Sequence, residues 1–247
     1  MAAWTMEASN PDVSLLYDIN GIAVDAPNWA DRIVEYVGEY GMLLGIVLVG
    51  VWCWWRGRSR GTADDSVASA AAIVWAPLAA GIALLVNIPI RGFVERPRPF
   101  LEHKGLEVLV DGKTDYSFVS DHATLAMALA VGIFMANRKL GLLGIALAVV
   151  AGVCRVYMGV HYPSDVVGGF ALGTAVALLL APLAAMVLTP VMSAISRWGV
   201  VSSLVRTREA READEERRAA TLAGQARLAA EARRRGEGGP GVNDLAA

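Results

Sequence analysis

Charge is scarce in this sequence, and cysteine and histidine are scarcer. Of 247 residues, 19% are charged and 55% are hydrophobic. Soluble domains usually hold more charge and fewer apolar residues. The charges that exist are badly mixed. They gather ahead of the first apolar run, in short connectors and in the final stretch, and long uncharged segments lie between. A well-mixed soluble domain is excluded by that segregation, and the net charge of −2 says little about partners because it hides it. The two cysteines, Cys53 and Cys154, each sit in apolar stretches. They supply neither a disulfide framework nor zinc spacing and read as packing residues. The opening MAAWTMEASNPD lacks a basic stretch followed by an apolar one, so no cleavable signal peptide is expected. No internal repeat is visible.

What is present is apolar length. Five spans are expected: Tyr40 to Trp55, Ser66 to Ile90, Ser120 to Asn137, Leu140 to Cys154, and Pro163 past Leu188. A helix needs roughly 20 apolar residues to cross a bilayer, so the third and fourth are short. Pro182 and Pro190 are positions for a kink or an end in the fifth. The mixed segment from Asp12 to Tyr36 reads as interfacial amphipathic helix, with a re-entrant or sixth membrane segment as the alternative. The fold class is therefore all-α, a polytopic helical membrane bundle of five or six segments. Three regions follow: an interfacial segment over 1–37, a transmembrane domain over 38–196, and a charged tail over 197–247. The tail reads as a solvated helix from Thr207 to Arg235 by propensity and charge spacing, with a disordered Gly-rich end.

Lysine and arginine set the expected orientation. RGRSRG follows the first span, NRK the third and SRWG the fifth, which places these three in the cytoplasm and the N-terminal segment outside. Trp54, Trp55 and Trp198 read as interfacial anchors. With that orientation three polar clusters share the outer face. RGFVERPRPF holds Arg91, Arg96 and Arg98; YSFVSDHAT holds Ser120, Asp121 and His122; CRVYMGVHYPSD holds Arg155, His161 and Asp165. His103, in the outer loop, reads as a surface residue.

Arginines with histidines and a serine, and no carboxylate cluster, suggest an oxyanion site. Guanidinium groups bind phosphate bidentately and keep their charge. The third and fifth spans both start on this face, so their helix N-termini add N–H groups and positive partial charge. Ser120 is placed as an N-cap and Pro163 as a first helical residue. Asp165 then falls in the first turn, in reach of His161, where a carboxylate holds an imidazole in one tautomer. Two histidines at one phosphate divide into a nucleophile and an acid for the leaving oxygen. The reaction is expected to need no metal or other cofactor.

These residues resemble the three motifs of the type 2 phosphatidic acid phosphatase superfamily, whose helical core is shared with the vanadium haloperoxidases. Arg91, six residues, then Arg98-Pro99 stands for the first motif, with Arg in place of Lys. VSDH at 119–122 stands for the second, with Val119 for Pro and Asp121 for Gly. Cys154-Arg155, five residues, His161, three residues, Asp165 stands for the third, with Cys for Ser. The resemblance covers roughly residues 38 to 190. It implies His161 as the nucleophile that forms a phosphohistidine, Asp165 as its orienting partner and His122 as the acid. Arg98, Arg155, Ser120 and Arg91 become the phosphate binders.

SDH following RPRPF is similar to the bacitracin-resistance type of undecaprenyl-diphosphatase. By that resemblance the substrate is a polyprenyl diphosphate in the bacterial plasma membrane. The site faces outward, the tail is cytoplasmic, and the partners are lipids, with no nucleic acid. Asp121 is the departure expected to tune the pKa of His122 or the choice of headgroup. A broad phosphatase for phosphatidic acid or phosphatidylglycerol phosphate is the first rival. A catalytically inactive membrane scaffold or lipid-binding protein is the rival of another class. A haloperoxidase is disfavoured by the spans.

Overall fold

The computed structural model describes residues 10–59, 63–110, 112–197, 199–205 and 208–236. Trp198, Arg60 of the first basic loop, the opening residues read for a signal peptide and the Gly-rich end lie outside them. Every regular element among the described residues is helical. In chain order these are α1 (Pro11–Val24), α2 (Asn28–Tyr36), a π-helical turn (Val37–Gly41), α3 (Met42–Gly57), α4 (Ala63–Val94) and α5 (Pro99–Glu102). They continue with α6 (Asp121–Ala136), α7 (Arg138–Tyr157), α8 (Pro163–Leu179), α9 (Ala181–Arg197), a 3₁₀ turn (Gly199–Leu204) and α10 (Arg208–Gly236).

Three helical stretches are long and apolar enough to cross a membrane: Asn28–Gly57, Asp64–Glu102 and Arg138–Tyr157. The pair α8–α9, bent by 52°, makes a fourth, and α6 is a shorter apolar helix. The chain is an all-α, multi-pass membrane protein. Leu85, Ile88, Phe93, Leu179 and Met186 stay exposed on the outside of the bundle, as lipid-facing side chains do.

The first span differs from the expected one. It begins at Asn28, because α2, the π turn and α3 run on without a break. The amphipathic segment therefore splits. Asp25 to Pro27 interrupt the helix, with Pro27 extended at the start of α2, so only α1 is a separate element. A boundary at residue 37 falls inside a continuous helix. The last span, in contrast, breaks at Leu180, ahead of Pro182.

Small residues set the packing. α6 lies at the centre, against α4, α7 and α8. Ala126 and Ala130 are fully buried on it. On α8, a Cβ at Gly173 would stand 2.4 Å from the carbonyl oxygen of Thr124, and one at Gly169 2.8 Å from that of Ser120. Small residues four apart let two helices approach backbone to backbone, the usual route to tight packing in lipid. Trp75 of α4 reaches across and donates from Nε1 to the carbonyl of Ala177, at 3.0 Å.

α1 is strapped onto the end of the bundle where the polar clusters lie. Buried Asn20 donates to the carbonyls of Glu107 (2.8 Å) and Tyr157 (2.7 Å) and accepts from the N–H of Glu107 (2.9 Å). Asp12 accepts from the N–H and hydroxyl of Ser164, at 2.8 and 2.6 Å. A buried Asn satisfied on three sides is a specific joint rather than a greasy contact.

Candidate active site

The three polar clusters meet at one end of the bundle. α6 starts at Asp121 and α8 at Pro163, and the N–H of Ser120 donates to the carbonyl of Asp165 at 3.1 Å. The two helix N-termini are thereby side by side. α7 brings Arg155 in its last turn. The turn that follows depends on Gly159, whose φ of +71° suits a residue without Cβ; a Cβ there would lie 2.7 Å from the carbonyl of Glu107. That turn delivers His161 into the interior.

His161 is 3% exposed. Its Nδ1 lies 2.9 Å from the carbonyl oxygen of Ser117. A carbonyl only accepts, so Nδ1 carries the proton and Nε2 keeps its lone pair. Nε2 sits 3.4 Å from Nη1 of Arg98. Burial, then the charges of Arg155 and Arg98, push the His161 pKa down to about 4, against the pull of Asp165. The imidazole is neutral at neutral pH, with Nε2 available as a nucleophile.

The expected orienting role of Asp165 meets a different geometry. Its nearest oxygen is 3.8 Å from His161 Nδ1, while the Ser117 carbonyl holds that nitrogen. Asp165 is fully buried and committed elsewhere: Oδ2 accepts from the N–H of Tyr162 at 2.9 Å, and Oδ1 from Arg96 at 2.9 Å. It caps α8 and supplies charge beside the histidine rather than the tautomer-setting bond.

Arg98 is 3% exposed and held from three sides. It donates to the side chain and carbonyl of Asp115, at 2.7 and 3.0 Å, and to the carbonyl of Val160 at 2.9 Å. Burial works to raise the Asp115 carboxyl; the bond to Arg98 and the charges of Arg98 and Arg91 outweigh it and hold it below its ordinary range. Ser120 occupies the N-cap position of α6, but its hydroxyl makes no capping bond. That oxygen is buried and without a partner, and so is available to a ligand.

Arg91 and Asp121 are found with each other. Arg91 pairs with Asp121 at 2.5 Å and Asp115 at 2.7 Å, and Asn87 donates to Asp121 at 2.7 Å. Asp121 therefore lies in a salt-bridge cluster with Arg91. The carboxylate that faces His122 is a different one. Glu39, from the π turn, has Oε1 3.5 Å from His122 Nε2 and 3.4 Å from Nζ of Lys113, and its other oxygen pairs with Arg155. Arg155 is 1% exposed, and its Nε is without a partner.

Arg96 acts as a clamp. It spans Asp165 at 2.9 Å, Ser164 at 2.7 Å and Asp12 at 2.6 Å, and stacks 3.6 Å over the ring of Tyr162. His103 is not a plain surface residue: its ring meets those of Tyr17 and Tyr162 edge-on. Motif reading missed Glu39, Lys113, Asp115 and Ser117. Of these Glu39 carried a signal, since it is an ionisable residue at the edge of an uncharged run, and such residues tend to be functional.

The arrangement offers a neutral nucleophilic imidazole, a second histidine, two buried guanidinium groups, a free hydroxyl and two helix N-termini. That set suits transfer of a phosphoryl group.

Comparison with known proteins points the same way. The sequence profile of the PAP2 superfamily matches residues 65–188. Undecaprenyl-diphosphatase BcrC of Bacillus subtilis is 29% identical over 139 residues, which span 56% of this chain and 66% of that protein, just under two thirds of its length. A decaprenylphosphoryl-5-phosphoribose phosphatase of Mycobacterium tuberculosis is 34% identical over 174 residues, spanning 68% of this chain and 88% of the other. Among solved structures, LpxE of Aquifex aeolicus superposes with a TM-score of 0.52 at 19% identity, covering 71% of this chain and 98% of its own. That likeness concerns the fold.

Proposed function

The chain belongs to the PAP2 superfamily, and from that premise we propose that it is a membrane lipid phosphatase. Its substrate in this reading is a polyprenyl diphosphate, with undecaprenyl diphosphate as the expected example, and its lipid product is the monophosphate. One observation carries the chemistry: His161 Nε2 keeps its lone pair, 3.4 Å from the Arg98 guanidinium.

The mechanism follows from that nitrogen. Nε2 of His161 attacks the terminal phosphorus, and the bond from phosphorus to the bridging oxygen breaks. His122 gives its proton to that oxygen, and the lipid monophosphate leaves. The phosphoryl group is now on His161. A water, losing its proton to His122, attacks phosphorus, breaks the P–N bond and releases phosphate. Arg98, Arg155, the Ser120 hydroxyl and the ends of α6 and α8 stabilise the charge on the transferring group. The outward orientation of the site and a cytoplasmic tail belong to this proposal, supported by the basic runs at the opposite ends of the spans.

The relative from Mycobacterium tuberculosis favours a second reading. That relative's name is for a phosphatase of a polyprenyl-linked phosphosugar, and the match covers more of both chains. Under it, the same residues cleave a phosphate monoester at the end of a prenyl-linked head.

The test is phosphate release by purified protein in detergent, without added metal. Undecaprenyl diphosphate, decaprenylphosphoryl-5-phosphoribose and phosphatidic acid are offered side by side. Preference for the diphosphate is the expected result. His161→Ala is expected to lose turnover by about 10³-fold or more while keeping its fold. Turnover retained in that variant would overturn the mechanism.

A further inference from the structure

Glu39 occupies a place where the phosphatase reading puts an anion of the substrate. Its carboxylate is enclosed by Arg155, Lys113 and His122, with the last two at 3.4 and 3.5 Å. Among the described residues, neither Arg155 nor Lys113 pairs with any other acid. Arg91 and Arg98 have Asp115 and Asp121, and Arg96 has Asp12 and Asp165. In that second set three guanidinium groups meet four carboxylates, whereas around Glu39 two cations, Arg155 and Lys113, meet one carboxylate. Arg155 also keeps a buried Nε with no partner, a donor still aimed at nothing.

The position of Glu39 along the reaction axis matters. His161 and Arg98 mark the side of attack, and His122 marks the side of the leaving oxygen. Glu39 lies on the His122 side. A leaving group that is a neutral alcohol has no use for a second cationic pocket there. A leaving group that is itself a lipid phosphate does.

We infer that Glu39 and Lys113, with Arg155 shared between the transferring and the lipid-linked phosphates, form the subsite for the lipid-linked phosphate of a diphosphate substrate, with the Glu39 carboxylate as the internal anion that the substrate displaces. Lys113 and Glu39 are then specificity-determining residues with opposite effects. Lys113 adds attraction for the second phosphate. Glu39 competes with it, so that a monoanionic head does not win the subsite while a diphosphate does. The carrier of Glu39 suits displacement: the π turn Val37–Gly41 lies within a long helix, and such turns are often found at functional sites.

This inference rests on the phosphatase reading, and the test separates the two. Full-length protein in detergent is titrated with inorganic pyrophosphate and, separately, inorganic phosphate, and binding is read from protection against thermal unfolding. Glu39→Gln is expected to bind pyrophosphate about tenfold tighter and Lys113→Ala about tenfold weaker, with phosphate moved by less than about threefold in each. Glu39→Asp keeps the charge but draws it back by one methylene; it is expected between wild type and Glu39→Gln, and it keeps the test alive if the glutamine variant does not fold. In turnover, Lys113→Ala is expected to lower the diphosphate-to-phosphatidic-acid ratio of kcat/KM by about tenfold. Unchanged pyrophosphate binding in both variants would overturn the inference. So would equal shifts for phosphate and pyrophosphate. Opposite pyrophosphate shifts in a protein that hydrolyses none of the lipids would sink the phosphatase reading and leave the anion subsite standing.

Discussion

His161 keeps its two ring nitrogens in different company, and that difference has a pH signature. Nδ1 is spent on a main-chain carbonyl at 2.9 Å, and the pKa is pushed down to about 4 by burial and by Arg155 and Arg98, with Asp165 pulling the other way. The proposed nucleophile is therefore neutral above that value. The limb of kcat/KM that it sets is expected to fall at about pH 4 rather than near the ordinary 6.5. The stability consequence has a definite sign. Between about 4 and 6.5 the unfolded chain binds a proton that folded His161 does not. Stability is then expected to fall as pH drops through that window. A kcat/KM profile with chemical melts at each pH checks both; a limb at 6.5 would contradict the geometry. The residues of the site were largely legible, because Arg98, Arg155, His122 and His161 carry their chemistry in the side chain. The partner of His161 Nδ1 was not. It is the carbonyl of Ser117, and a motif of side chains says nothing about where a carbonyl points. Asp121 misled for a related reason: it is next to His122 in sequence, but at the start of a helix neighbouring side chains diverge.

At the scale of elements, hydropathy located the apolar helices, since apolar length is what a bilayer demands; three are long enough to cross, the bent pair makes a fourth, and α6 is shorter. It did not locate the start of the first. Asp31 and Glu35 made residues 28 to 36 look interfacial, yet they lie on one continuous helix to Gly57. Asp31 explains part of this, since Tyr157 donates to it at 2.8 Å. An acid with a partner on a neighbouring helix can sit where hydropathy alone forbids it. The contact between α6 and α8 carries its own prediction. Because a Cβ at Gly173 would meet the Thr124 carbonyl at 2.4 Å and the Ala128 nitrogen at 3.0 Å, Gly173→Ala must push the helices apart. Its cost is expected at about 1–3 kcal/mol, and a melt in detergent reads it as a lower Tm. An unchanged Tm would mean that the helix pair is less tightly set than its backbone distances indicate. Gly81, with nothing within 4 Å of its Cβ position, is the control that should tolerate alanine.

For the whole molecule, the prediction is topological. The candidate site, α1 and the loop between α4 and α6 lie together at one end, tied by Asn20, Asp12 and Arg96. At the opposite ends of their spans Trp54 donates to the carbonyl of Leu204 at 2.8 Å, and Arg58 to that of Ser203 at 3.0 Å. A reporter fused after Arg197 is expected to read cytoplasmic; an extracytoplasmic signal there would invert the proposed orientation. The strap of α1 also bears on how the protein is made. Asp12 is synthesised 152 residues ahead of its partner Ser164. At about 5–20 residues per second that is a wait of about 8–30 s. Until then α1 lacks the polar partners that strap it to the bundle. That end of the bundle can close only after the His161 turn has been delivered, so assembly of the candidate site comes late in biogenesis rather than first.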